Sequence, residues 1–197
     1  MGEPNPIRSE RRARTRDASR AAILDSARRV AARDGARNLS LRGVAAEAGY
    51  APAALYGYFA NKDELLLALA ADDLQSLSRA MRDAVASGGS GKLTAASSAA
   101  LVLLRDNETF AAAQGALPQE AGSSEAERLF NGRMIAALKV LADATGQPAN
   151  SRDAQRDVVL VAAALTGLAM LARSGRLNAL GFTPEEILAR LDGRFTS

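Results

Sequence analysis

The chain has no cysteine, no histidine and no tryptophan, and its aromatics are three tyrosines and five phenylalanines in 197 residues. Without cysteine there is neither a disulfide framework nor a thiolate metal site. Without histidine the commonest general base and the commonest zinc ligand are gone. Catalysis would fall to Asp, Glu, Ser or Tyr. The adjacent acid pairs Asp72-Asp73 and Glu185-Glu186 sit on helical stretches, where neighbouring side chains diverge by about 100° instead of converging on one substrate. No enzyme is expected. The carboxylates show no calcium-loop spacing, so no metal and no cofactor are expected either. No eighteen apolar residues run uninterrupted, and the N-terminus lacks the apolar core and cleavage site of a secretory signal. The expectation is a cytoplasmic protein with no membrane partner.

What is present is alanine. Apolar residues make up 48% of the chain with aromatics at only 4%, a balance that favours close-packed helices over a β-sandwich. Charge is unevenly divided. Residues 1–62 hold eleven arginines and Lys62 against Glu3, Glu10, Asp17, Asp25, Asp34 and Glu47, a surplus of six positive charges. The other 13 basic and 16 acidic residues leave 63–197 with three negative charges. A basic N-terminal third on an acidic remainder points to a polyanion-binding module joined to something else, although a solvated basic tail fits the charge equally well.

Periodicity and end signals predict an all-α fold of about nine helices. Residues 1–16 contain proline and arginine but no apolar period, and are expected to be a disordered basic arm carrying Arg8, Arg11, Arg12, Arg14 and Arg16. A helix over 17–34 places Ile23, Ala27, Val30 and Ala31 on one face and stops at Gly35. A second over 41–48 is capped by Ser40 and closed by Gly49. A third over 52–59 opens on Pro52, whose missing N–H costs nothing in the first turn, and turns Leu55 and Phe59 inward. A fourth starts at Asn61 and runs to 86. After SGGSG, helices are expected over 93–105, 108–116, 124–145 and 152–174. Thr183-Pro184-Glu185-Glu186 opens the last, running to about 191.

Two short helices joined by a glycine turn, 41–48 and 52–59, match the helix-turn-helix outline, whose second helix lies in the DNA major groove. The stretch AILDSARRVAARDGARNLSLRGVAAEAGYAPAALYGYFANKDELL resembles the N-terminal domain of the TetR (tetracycline-repressor) family in continuous register. The resemblance implies an N-terminal three-helix DNA-binding head (17–62) and a C-terminal helical ligand-binding and dimerisation domain (63–197). It implies a homodimer on double-stranded operator DNA of palindromic form, released by a small-molecule effector that alters the separation of the two heads. Repression is the family's commoner mode.

Around the helix axis, Pro52, Leu55 and Phe59 share one side, and Ala53, Ala54 and Gly57 form the opposite arc. The arc facing base edges is nearly bare. Ala51, Ala54 and Gly57 stand where the family often has serine, threonine and a larger side chain, which leaves methyl contacts and close approach in place of hydrogen-bonding readers. The expected DNA contacts are Ser40, Arg42, Ala51, Pro52, Ala53, Ala54, Tyr56, Gly57, Tyr58 and Lys62. Tyr56 and Tyr58 offer hydroxyls to phosphates, or else pack as surface aromatics. Lys62 resembles the family's phosphate-contacting lysine, and Tyr50 is expected in the core. The arginine arm is read as a DNA contact, in the minor groove or non-specifically.

In the C-terminal part, candidate pocket residues are Leu103, Phe110, Met134, Leu138 and Met170, with plain core packing the alternative for each. The family's two-helix dimer seam implies Ala162, Leu165, Gly167, Leu168, Leu171, Ile187 and Leu191. A second functional reading, a helical interaction protein lacking sequence-specific DNA binding, is kept open by the bare recognition helix.

Overall fold

The computed structural model describes residues 6–88, 91–106, 124–148 and 151–195. Nine α-helices and one 3-10 turn occur among the described residues, with no strand. They are α1 (Pro6–Asp34), the 3-10 turn Ala36–Asn38, α2 (Leu41–Ala48), α3 (Pro52–Leu55), α4 (Lys62–Ala86), α5 (Lys92–Asp106), α6 (Glu125–Thr145), α7 (Arg152–Arg173), α8 (Arg176–Ala179) and α9 (Pro184–Phe195). The all-α expectation holds. The helix expected over 108–116 lies outside the described residues.

Local end chemistry sets most boundaries. Ser40 accepts the Gly43 N–H at 3.1 Å, Asn61 accepts that of Glu64 at 2.8 Å, and Ser124 accepts that of Glu127 at 3.1 Å. Each satisfies a backbone donor that an α-helix leaves unpaired at its start. Thr183 and Glu186 exchange bonds as a capping box: the Glu186 N–H donates to the Thr183 hydroxyl, and the Glu186 carboxylate accepts the Thr183 N–H. Gly49 ends α2 at φ 73°, a left-handed conformation that glycine adopts without strain.

Four boundaries differ from expectation, each for a physical reason. Residues 6–16 are helical, continuous with α1, where a disordered arm was expected. Nucleation is the costly step of helix formation, and the buried face of Ile23, Ala27, Val30 and Ala31 supplies the nucleus. Extension through this Arg-rich stretch then needs no apolar period of its own. α3 stops at Leu55, not Phe59, and continues as a turn through Tyr58. Ala51 provides no side-chain cap, so nothing beyond Pro52 reinforces the start of this helix. Gly175, at φ 69°, does stop α7, but it also opens the one-turn α8. α9 runs on to Phe195 instead of ending near 191.

One continuous apolar cluster extends from Ile23 in α1 to Leu188 in α9. α4 is its spine, packing against α1 at its start and against α5 and α6 along its length. Residues 65–71 of α4 are all buried, so this stretch is enclosed on every side. Just beyond it, Arg28 of α1 pairs with Asp72 and, at 3.2 Å, with Asp73, while also reaching Asp25 at 3.0 Å. Burial opposes the charge on Arg28, but hydrogen bonds and attraction from Asp72 and Asp73 outweigh it and hold the guanidinium pKa above its usual value.

Arg28→Ala is expected to lower the unfolding free energy by about 1.5–3 kcal/mol in urea titration, the range for hydrogen bonds to charged groups. Asp72→Ala added to that variant should cost much less than it does alone, the signature of coupled partners.

Candidate nucleic-acid interface

The head is built on a small apolar core. Val44 and Ala45 of α2, Leu55 of α3 and the following Phe59 are almost wholly buried, against Ile23, Ala27 and Val30 of α1. Burial of Leu55 and Phe59 contributes roughly 1.5–3 kcal/mol each. Small Ala45 lets the helices approach, and the Tyr50 N–H donates to its carbonyl at 2.9 Å as the chain reverses at Gly49. Tyr50 is half-buried and packs on the core edge. Charged groups brace the outside: Arg29 and Arg33 of α1 bond the Glu47 carboxylate of α2 at 2.9 and 3.0 Å. Hydrogen bonds from these two arginines hold the Glu47 pKa below the usual carboxylate value.

With the core side occupied, the opposite side is left open. Ser40, Arg42, Ala51, Pro52, Ala53, Ala54, Tyr56 and Gly57 are all exposed, Tyr56 at 62%. Tyr58 and Lys62 are half-buried. These residues lie in and around the two short helices and their flanking turns, and the surface they make is low in polar side chains. Gly57 carries no positive φ, and a Cβ there would meet the Ala54 carbonyl oxygen at 3.3 Å, so a side chain fits with a small adjustment. The Lys62 ammonium donates to the Arg37 carbonyl at 2.6 Å, closing the loop between the 3-10 turn and α4. An ammonium has three donors, so the bond leaves capacity for a phosphate.

Sequence reasoning missed one arrangement here. Arg16 of α1 donates from its guanidinium to the Gly57 carbonyl at 2.9 Å and lies over the Tyr58 ring, 5.5 Å from its centroid. Arg20, one helical turn on, lies over Phe59 at 5.3 Å. The i,i+4 spacing of the two arginines was visible, but the aromatics they cover are some forty residues away in the chain.

The remaining expected sites fall in the helices after residue 63. Met134 and Leu138 are half-buried against the core, whereas Leu103 and Met170 are exposed, Met170 at 57%. Phe110 lies outside the described residues. Of the expected seam, Leu165 and Leu168 are 2% and 6% exposed and pack inside the protomer. In place of the expected seam, they belong to the stripe Ala154, Val158, Val161, Leu165, Leu168, Ala169 that faces this chain's own core. Ala162, Gly167, Leu171, Ile187 and Leu191 are half-buried. Among the described residues no cluster of three or more acidic side chains is placed to hold a metal ion.

Residues 23–69 match the family model for bacterial regulatory proteins of the tetR family. Residues 23–69 thus carry a tetR-type DNA-binding domain. A nicotine-responsive transcriptional repressor, HdnoR of Paenarthrobacter nicotinovorans, is 48% identical over 59 residues, which is 30% of each chain. Similarity to that curated relative thus spans under a third of its length. A TetR-family regulator from Streptomyces coelicolor superposes with a TM-score of 0.63 at 18% identity, covering 90% of this chain and 99% of that one. The fatty-acid-degradation regulator FadR from Bacillus subtilis, solved with stearoyl-CoA, superposes with a TM-score of 0.62 at 19% identity, covering 90% and 97%. At such identities these two establish the shared fold.

The bracing of the TetR-type head is testable by titration. The depressed Glu47 pKa means its contribution is present above the ordinary carboxylate pKa and is lost as pH falls through the lower folded value. Carboxyl NMR should find the Glu47 midpoint below that of a free glutamate, and Arg29→Ala with Arg33→Ala should return it toward the ordinary value.

Proposed function

We propose that the chain is a homodimeric transcriptional repressor that leaves its operator when a small-molecule effector binds the helices after residue 63. Residues 17–62 act as the DNA-binding head and residues 63–197 as the ligand-binding and dimerisation part. The observation that carries this reading is the exposed, core-backed pair of short helices within the TetR-type head. α3 and the turn after it enter the major groove, with Ala53, Ala54 and Gly57 at the base edges. Ser40, Tyr56, Tyr58 and Lys62 contact phosphates, and Arg42 reaches a phosphate or a base. No catalytic chemistry is involved, and the protein works in the cytoplasm.

Effector binding gains support from two buried polar atoms without a hydrogen-bond partner, the Ser97 hydroxyl of α5 and one Glu127 carboxylate oxygen of α6. Such orphans are costly unless something satisfies them, and a ligand with a donor group between these contacting helices would do so. B. subtilis FadR, with its stearoyl-CoA, supports the idea that this fold accommodates a ligand.

Dimerisation gains support from α7. By length and composition this helix is apolar enough to cross a membrane, yet only 33% of its apolar window is buried in the protomer. Its inner stripe packs on its own core, which argues against a lipid environment. Its outer side presents Val159 and Leu160, 59% and 57% exposed, with Ala163, Ala164, Gly167 and Met170 at helical spacing. Exposed Leu180 and Phe182 follow α8. A second copy of the chain covers this side.

Genomic-fragment selection with the purified protein should yield a preferred palindromic site. Equal affinity for every fragment would instead favour a helical interaction protein without sequence-specific DNA binding. Lys62→Ala and Tyr56→Phe should weaken binding to all duplexes alike, by about 1 kcal/mol or some fivefold, typical of one lost hydrogen bond. Gly57→Arg should change or abolish the preferred site. Leu160→Glu should sediment as a folded monomer, whereas Leu165→Ala should remain dimeric while losing about 2–5 kcal/mol of stability.

A further inference from the structure

We propose that the N-terminal extension of α1 is a second DNA-binding surface, a phosphate clamp that Arg16 docks onto the recognition turn. The inference rests on the DNA-binding reading above and goes beyond it, because the extension belongs to neither helix of the helix-turn-helix.

Several observations converge. At 100° per residue, Arg11, Arg12, Thr15 and Arg16 occupy an arc of about 140° on one side of α1. Together with Tyr58 they line an open groove of about 680 Å³. Three guanidiniums, a hydroxyl and a phenol ring around one groove are donors suited to phosphodiester oxygens. The extension is also aimed. The Arg16 guanidinium donates to the carbonyl of Gly57, at the end of the recognition turn, and stacks on Tyr58. The groove therefore adjoins the exposed Ala53, Ala54 and Gly57 surface. From Arg16 back to Pro6 the helix extends about 15 Å, at 1.5 Å per residue, enough to pass several successive phosphates of a strand.

The two surfaces complement each other. The recognition turn has shape and methyl groups but few donors, and the extension supplies the charge it lacks. Arg16 is a positioning residue. Its guanidinium ties down the turn after α3, a helix with no side-chain cap at its start, and by the same bond sets the direction of the arginine stripe. A straight polyanion meets both at once only if that direction is fixed. DNA fits better than an anionic membrane, since residues 10–16 of the extension carry no large apolar side chain and the groove opens beside the recognition turn.

The test measures binding of the full chain to a random-sequence duplex and to the tightest selected genomic fragment, over a range of salt concentrations. Wild type is compared with Arg11→Gln/Arg12→Gln, Arg16→Lys, Tyr56→Phe and Gly57→Arg, with circular dichroism to verify helix content. Losing two phosphate contacts should flatten the log–log salt dependence by about two for Arg11→Gln/Arg12→Gln on both duplexes. Hydroxyl-radical protection should shrink at the flanks of the selected site. Arg16→Lys keeps the charge but not the planar fork, and should also lose flank protection. A salt slope and flanks unchanged in Arg11→Gln/Arg12→Gln would overturn the clamp while leaving the major-groove reading intact. If the double variant flattens the slope while Tyr56→Phe and Gly57→Arg bind as wild type, the clamp stands and the major-groove reading fails. A wild type that binds neither duplex at low salt overturns both. Tighter binding to phosphatidylserine vesicles than to duplex, lost in the double variant, would reassign the groove to a membrane and overturn the clamp.

Discussion

The enclosure of α4 over residues 65–71 is the constraint on which the remaining architecture depends. A helix buried on one face can slide or roll against its neighbours, but seven consecutive buried residues leave it no free side. The start of α4 takes its neighbours from α1, and its length takes them from α5 and α6. The Arg28 bridge to Asp72 and Asp73 sits just past the enclosed run and ties α1 to the same stretch. Close packing of this kind transmits displacement instead of absorbing it. The head is thus held as an extension of the bundle, with no linker between them, and the apolar cluster passes residue 62 without a break.

That rigid mounting bears on what a bare recognition surface can do. A reader with long polar side chains tolerates some misplacement, because flexible side chains find their partners. Alanine and glycine reach no distance, so a surface built from Ala53, Ala54 and Gly57 discriminates only when the backbone is presented accurately. Every bond around it serves that end. Ser40 and Gly49 define α2, Glu47 is held by two arginines of α1, and Lys62 fastens the 3-10 turn to α4. Arg16 secures the far end of the turn. On the proposed reading, accuracy of placement takes over part of the role that side-chain chemistry has in a more polar head, and shape is what such a surface would read.

How much of this was legible depended on how local its cause was. Ser40, Gly49, Pro52, Asn61 and Thr183 act on backbone groups within four residues, and the sequence reveals them through spacing alone. The buried faces of α1 and α2 were legible for the same reason, since periodicity is a local property. The end of α3 was not, because it turns on the balance between a missing cap at Ala51 and a distant guanidinium. The helical extension over 6–16 escaped for a related reason. It has no apolar period, and its order follows from continuity with a nucleus further along the chain. Arg16 and Arg20 find their aromatic partners across the fold, a pairing that one sequence cannot express.

α7 shows the same limit in another form. A stretch apolar nearly all round has two candidate faces, and composition cannot say which one the protomer keeps. The structure turns Val161, Leu165 and Leu168 inward and leaves Val159, Leu160 and Gly167 on or near the outer side. A mid-helix glycine costs about 1 kcal/mol relative to alanine, and among the described residues nothing outside the neighbouring backbone of its own helix lies within 4 Å of its would-be Cβ. Close approach by a second helix, as in the proposed dimer, would offset that cost. α7 packs on α5 and α6, both of these pack on α4, and α4 packs on α1 beneath the recognition turn. On the proposed reading, a ligand that shifted α5 against α6 would meet the outer side of α7 on one side and the head on the other. The packed helices thus form a contiguous route from α5 and α6 to the head.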